Sequence, residues 1–177
     1  AIDWAVHMRR FPAGALLADR AARGELQPAH IDALAREIAG FQAQAAVAPA
    51  DSPYGDAGDL ARLAQDNFTP LFDLQPPPVK RQQLEQLQQW MQAESAHLAP
   101  LMATRRAEGR VREGHGDLHL GNLLWLEGRA RLFDAIEFNP RLRWIDVACD
   151  IAFLFMDLHA HDQPALAWRF LNAWLAR

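Results

Sequence analysis

The sequence predicts a mainly helical α+β chain with one small β-hairpin inserted late. Two observations carry this. Apolar residues recur at the helical period in several segments separated by proline- and glycine-rich breaks. One short stretch instead reads as two strands around a tight turn: Leu123-Leu124-Trp125-Leu126, then Glu127-Gly128, then Ala130-Arg131-Leu132-Phe133. With 177 residues, half of them apolar, the chain can fill one core.

The elements follow in order. Residues 2–8 read as a strand, and Phe11-Pro12 breaks it. Residues 15–23 form a short helix stopped by Gly24. A longer helix starts at Gln27-Pro28 and runs to about Val47, with Ile31, Leu34, Ala35, Ile38 and Phe41 on its apolar side. Residues 48–58 are a loop by composition, 60–67 a helix, and Pro70 with Pro76-Pro77-Pro78 bounds a second irregular stretch. A glutamine-rich helix spans 79–98 and packs one face inward through Leu84, Leu87, Trp90, Met91 and Leu98. Pro100 interrupts it, and 101–107 add two turns before Gly109. Residues 111–113 are extended, the hairpin follows, 135–143 form a loop, and 145–158 and 164–175 are helices.

Composition excludes several classes. Net charge is −4 and no basic run gathers on one segment, so no nucleic-acid partner is expected. Cys149 is the only cysteine, which rules out an internal disulfide and suits a reducing compartment. No secretory leader is seen, and the longest apolar run, 151–156, is far too short for a membrane span. The expectation is a soluble, cytoplasmic protein with no membrane partner. The strand-like start at Ala1 and the helical pattern still running at the end lead us to expect a piece of a longer protein.

The polar residues converge on one loop. His115-Gly116-Asp117-Leu118-His119-Leu120-Gly121-Asn122 is followed, twelve residues beyond the Asn, by Asp134. Phosphoryl transfer asks the protein to orient a nucleophile and to neutralise phosphate charge through magnesium. Asp117 can accept the proton of an acceptor hydroxyl. Asn122 offers a neutral hard oxygen and Asp134 a charged one, both suited to Mg2+. A hairpin between them returns the two ligands to one place, with Gly116 and Gly121 allowing tight turns.

The spacing His-x-Asp-x-x-x-x-Asn matches the catalytic loop of protein kinases. The wording here more closely resembles the aminoglycoside phosphotransferase family, which shares the kinase fold. Trp144-Ile145-Asp146-Val147-Ala148 resembles that family's next landmark, an Asp opening a buried helix. Residues 111–158 look like a bacterial subgroup often fused to a P-loop ATPase, and residues 4–12 look like its hinge.

The resemblance implies one kinase-like C-terminal lobe over 1–177, with 1–10 as hinge strand and the metal-binding residues on the hairpin. It implies ATP and Mg2+ as cofactors, with Asp117 as catalytic base and Asn122 and Asp134 as magnesium ligands. His115 would pack the loop, and Asp146 would bond the loop backbone. Trp4, Ala5, Val6, His7 and Met8 would touch the adenine. The reaction implied is transfer of the ATP γ-phosphate to a small-molecule hydroxyl.

The chain departs from the pattern in two ways. The family's glycine-rich loop, phosphate-anchoring lysine and its glutamate partner come before the hinge, and no such residues stand there. Lys80, the single lysine, lies in the glutamine-rich helix. An N-terminal lobe outside this chain is therefore expected, and the fragment alone should be weak or inactive. Gln42 stands where many relatives have histidine.

Other readings stand beside these. His115 and His119 could ligate zinc, although two histidines four apart in a glycine-containing loop usually do not. Gly-Asp-Leu-His also resembles metallophosphoesterases, but no Asp-x-His lies upstream and Leu123 follows Gly121-Asn122. A pseudokinase or regulatory nucleotide-binding module is the alternative from the binding class; the intact Asp117, Asn122 and Asp134 argue against it. Glu137 either joins the magnesium shell or pairs with Arg141 or Arg143. Asp146, Asp150 and Asp157 share a helix face, as a solvated stripe or as an acidic wall for a cationic substrate. Trp90, Trp125, Trp144, Trp168 and Trp174 read as core.

Overall fold

The structure is a computed structural model that describes His7 and residues 10–177. The described residues are mainly helical, with two small two-stranded antiparallel sheets among them. The chain divides into two compact units.

The first unit gathers the described part of Ala1–Ala43 with Asp117–Ala135 and Ile151–Arg177. It holds α1 (Leu17–Ala22), α2 (Pro28–Gln44), the hairpin strands β2 (Leu123–Leu126) and β3 (Arg129–Leu132), most of α7 (Val147–Ala160), and α8 (Pro164–Leu175). Pro28 opens α2 because the first helical turn has no partner for its amide. Ile31, Leu34, Ala35 and Ile38 then fall on one side and are fully buried, together with Leu17, Leu154, Leu158 and Phe170. Each large side chain of this set contributes about 1.5–3 kcal/mol by leaving water. Phe41 is the exception to the expected stripe: it is exposed.

The hairpin forms as its sequence predicts. Leu123 pairs with Leu132 and Leu126 with Arg129. Glu127 and Gly128 both take positive φ, the turn whose twist matches that of the strands. Leu123, Leu124 and Ala130 turn into the core, and Trp125 donates its amide to Ala15 while its ring meets His30 edge-on. Gln42 is buried and accepts a hydrogen bond from the Trp174 indole at 2.8 Å.

The second unit gathers Gln44–Gly116 and Ile136–Asp150. It contains α3 (Ala57–Asp66), α4 (Phe68–Asp73), α5 (Pro78–Ala107), β1 (Val111–Glu113), α6 (Pro140–Arg143) and β4 (Trp144–Asp146). Asp56 caps α3 by accepting from the Asp59 amide. Strand β1 pairs antiparallel with β4, Val111 opposite Asp146. Tyr54 stacks on Trp144 with ring centres 5.3 Å apart.

Five expectations are corrected here. Residues 144–146 are a strand, not the opening of a helix, because they pair with β1; α7 starts at Val147. Helix α4 forms across Pro70, which sits in its first turn where a missing amide costs nothing. Helix α5 continues through Pro100 without a break. Pro100 and Ala96 are both exposed, so water meets the carbonyl that loses its amide partner. The inward side of α5 is half-buried Leu84, Met91, Leu98 and Met102, whereas Leu87 and Trp90 face solvent. Trp168 is also exposed rather than core.

Candidate active site

The first unit brings the Asp117–Asn122 segment and Asp134 together by simple alternation. In extended backbone successive side chains point to opposite sides. Leu118 and Leu120 are fully buried, so Asp117 and His119 are turned outward and are partly exposed. A 3-10 turn over Leu120–Asn122 then doubles the chain back, with the Asn122 amide bonded to the His119 carbonyl at 2.9 Å. That return places the Asn122 side chain under Asp117. Its Nδ2 donates to the Asp117 carbonyl and to Asp117 Oδ2, each at 3.0 Å.

These bonds fix the amide so that its nitrogen faces Asp117. Among the described residues the Asn122 Oδ1 accepts no hydrogen bond. The hairpin closes on the same residue, since Phe133 donates its amide to the Asn122 carbonyl at 3.2 Å. Asp134 comes next, exposed, with φ of 61°. That left-handed backbone is uncommon outside glycine and costs of order 1 kcal/mol or more; such strain gathers at functional sites. The Asp134 carboxylate has no protein partner among the described residues. One neutral and one anionic oxygen, both hard and neither bonded among the described residues, are donors of a kind that suits magnesium. Among the described residues no three His, Cys, Asp or Glu side chains gather around a common metal position.

His119 is a feature that sequence reasoning left without a role. Its Nδ1 accepts the Gly121 amide at 3.0 Å, and its Nε2 lies 3.4 Å from Asp117 Oδ2. Asp157 was likewise missed as a support: its carboxylate accepts the Leu120 amide at 2.7 Å and lies beside His161. A signal for His119 was available, because a residue two beyond Asp117 in extended backbone shares its side. No signal for Asp157 was available, since that contact spans 37 residues.

In the second unit His115 is buried, donates its amide to Asp150 Oδ2 at 3.1 Å, and accepts the Ile136 amide on its carbonyl. Gly116 donates to Asp150 Oδ1 at 3.0 Å. Asp146 does not bond this backbone, contrary to expectation. Its carboxylate takes a bidentate grip from Arg105, at 2.7 and 2.8 Å, and caps the Ala148 amide. The reason is the strand: Asp146 ends β4, and the inward turn of α7 belongs to Asp150, which is fully buried. Asp150 is thus neither a solvated stripe nor a substrate-facing wall.

Electrostatics follow the same geometry. The Asp146 carboxylate holds the Arg105 guanidinium above its ordinary pKa. Burial, helped by the Asp146 charge, pushes the Cys149 thiol up. Arg143 pairs with Glu113 and donates to the Glu137 carbonyl, and Arg141 pairs with Asp59; neither arginine takes the Glu137 carboxylate. Of the expected adenine-contacting residues, Trp4, Ala5, Val6 and Met8 lie outside the described residues, and His7 is exposed. Among the described residues no helix is long and apolar enough to cross a membrane.

The chain is 28% identical over 172 residues to the uncharacterized proteins Rv2004c of Mycobacterium tuberculosis and Mb2027c of Mycobacterium bovis. The match covers 97% of this chain and 34% of each relative, so the chain spans about a third of their length. No solved structure matches it. The model of the phosphotransferase enzyme family matches residues 5–177, nearly the whole chain. The chain belongs to the phosphotransferase enzyme family.

Proposed function

We propose that this chain is the catalytic-loop half of an ATP-dependent phosphotransferase that moves the γ-phosphate to a hydroxyl of a small molecule. The observation that supports this most is the Asn122 amide locked on Asp117 with its oxygen left over. Asp117 would accept the proton of the acceptor hydroxyl as its oxygen attacks phosphorus. Asn122 Oδ1 and Asp134 would hold Mg2+, which neutralises charge on the transferring phosphoryl group. Residues 4–8 would form the hinge against the adenine.

Several parts rest on the resemblance to aminoglycoside phosphotransferases. These are the use of ATP, an N-terminal lobe supplying the phosphate-anchoring lysine, a fused P-loop ATPase as neighbour, and a cytoplasmic location. The chain's share of its relatives, about a third, leaves room for both neighbours. The test is an acceptor screen on the full-length protein with Mg-ATP, reading ADP release. Acceptor-dependent ADP release that requires Mg2+ supports the proposal. Nucleotide binding without turnover on sugars, aminosugars or choline-like alcohols would favour a regulatory nucleotide-binding module instead.

A further inference from the structure

The imidazole of His119 is held by an arrangement that the proposed reaction has not yet used. Its Nδ1 accepts the Gly121 amide at 3.0 Å, so that nitrogen carries a lone pair and the neutral ring carries its hydrogen on Nε2. Nε2 is the atom that lies 3.4 Å from Asp117 Oδ2. The Nδ1–Cε1 edge of the ring abuts Gly121: a Cβ built there would stand 2.7 Å from His119 Cε1 and 2.9 Å from Nδ1. Gly121 has no left-handed φ among the described glycines, so its lack of a side chain serves the ring and not the turn. This corrects the expectation that Gly121 is there to bend the chain.

We infer that His119 is a positioning residue that fixes the orientation of the Asp117 carboxylate, with Gly121 as the platform that sets its tautomer. The inference rests on the reading of Asp117 as base. Asn122 Nδ2 reaches Oδ2 from one direction and His119 Nε2–H approaches the same oxygen from another. Two groups meeting one oxygen from different directions restrain rotation of the carboxylate. The 3.4 Å separation is longer than a formed hydrogen bond, and such contacts tighten when substrate is in place. Misplacing a reacting group by about 1 Å costs about a hundredfold in rate, so loss of this restraint acts on kcat.

The amide side chains separate the two jobs of the ring. His119→Asn keeps an acceptor near the Nδ1 position and caps Gly121, but does not reach Asp117. His119→Gln carries a donor out to the Nε2 position and gives up the cap. Phosphoryl transfer by the full-length protein is measured for both and for Gly121→Ala, with Mg-ATP binding as a check that each is folded. Long-range 1H–15N NMR of the wild-type protein reads the tautomer directly.

The expected results are an Nε2–H ring and a loss in kcat of about 10- to 100-fold for His119→Asn and Gly121→Ala. The KM for ATP should stay within about twofold, and His119→Gln should recover most of kcat. An Nδ1–H ring overturns the inference, and so does His119→Asn outperforming His119→Gln, the order a purely structural cap would give. Failure of the underlying reading is distinct, since it shows as transfer that survives Asp117→Asn.

Discussion

Asn122 grips Asp117 twice, from Nδ2 to the carbonyl and to Oδ2, both at 3.0 Å. One side chain thereby fixes the candidate base and keeps its own oxygen unbonded among the described residues. Asn122→Ala removes both effects. It should lower phosphoryl transfer by about 10²-fold or more, the range seen when one preorganised polar group is removed. It should also raise the Mg2+ concentration needed for half-maximal rate. A magnesium titration of the variant against wild type measures this.

Asp150 and Asp146 separate by their partners. Asp150 is fully buried and its carboxylate accepts the amides of His115 and Gly116. Asp150→Ala leaves two buried amides unpaired, each costing about 1–3 kcal/mol. Urea unfolding should show a loss of that size. Asp146→Asn should cost less, because its main partner, Arg105, is about one-third exposed and can turn to water. Equal losses would contradict the assignment of the loop-backbone role to Asp150.

Gly116 has φ of 82°, and a Cβ there would stand 2.5 Å from the Leu142 carbonyl oxygen. Backbone conformation and space both exclude a side chain. Gly116→Ala should destabilise the protein by more than the roughly 1 kcal/mol of a glycine-to-alanine mismatch at positive φ alone. Thermal unfolding against a Gly128→Ala control, where nothing lies within 4 Å of the added carbon, isolates the clash.

His30 gives a pH dependence. Burial, with the nearby Arg20 charge, lowers its pKa below the ordinary imidazole value. Its Nδ1 accepts the Gln27 amide at 3.1 Å, which requires the neutral ring. The unfolded chain therefore takes the proton first as pH falls. The His30 contribution is full above the unfolded pKa and is lost as pH drops through it toward the lower folded pKa. Unfolding free energy should fall on acidification below about pH 6.5, and His30→Asn should flatten that slope.

Legibility from the sequence followed the range of the interactions. The hairpin was readable because its signals, alternation and a Glu127-Gly128 turn, lie within ten residues. That Asp117 and Asn122 meet beside Asp134 was readable because their spacing lies within eighteen residues. The Asp146 and Asp150 roles were not. Whether 144–146 starts a helix or a strand depends on pairing with Val111–Glu113, more than thirty residues back. Helix α5 was misread at Pro100 because the penalty for an interior proline depends on whether water reaches the orphaned carbonyl. Local pattern does not show that. The side that His119 shares with Asp117 was readable from their two-residue spacing, whereas its contact with Gly121 depends on the 3-10 turn that folds Gly121 against the ring edge.

The most direct test of the central claim compares the full-length protein with its Asp117→Asn variant. Transfer from γ-labelled ATP to an acceptor alcohol is followed beside Mg-ATP binding. The expected result is transfer reduced by about 10²- to 10⁴-fold, the contribution of a general base, with nucleotide affinity retained. Transfer that survives Asp117→Asn, or that proceeds unchanged without magnesium, contradicts it.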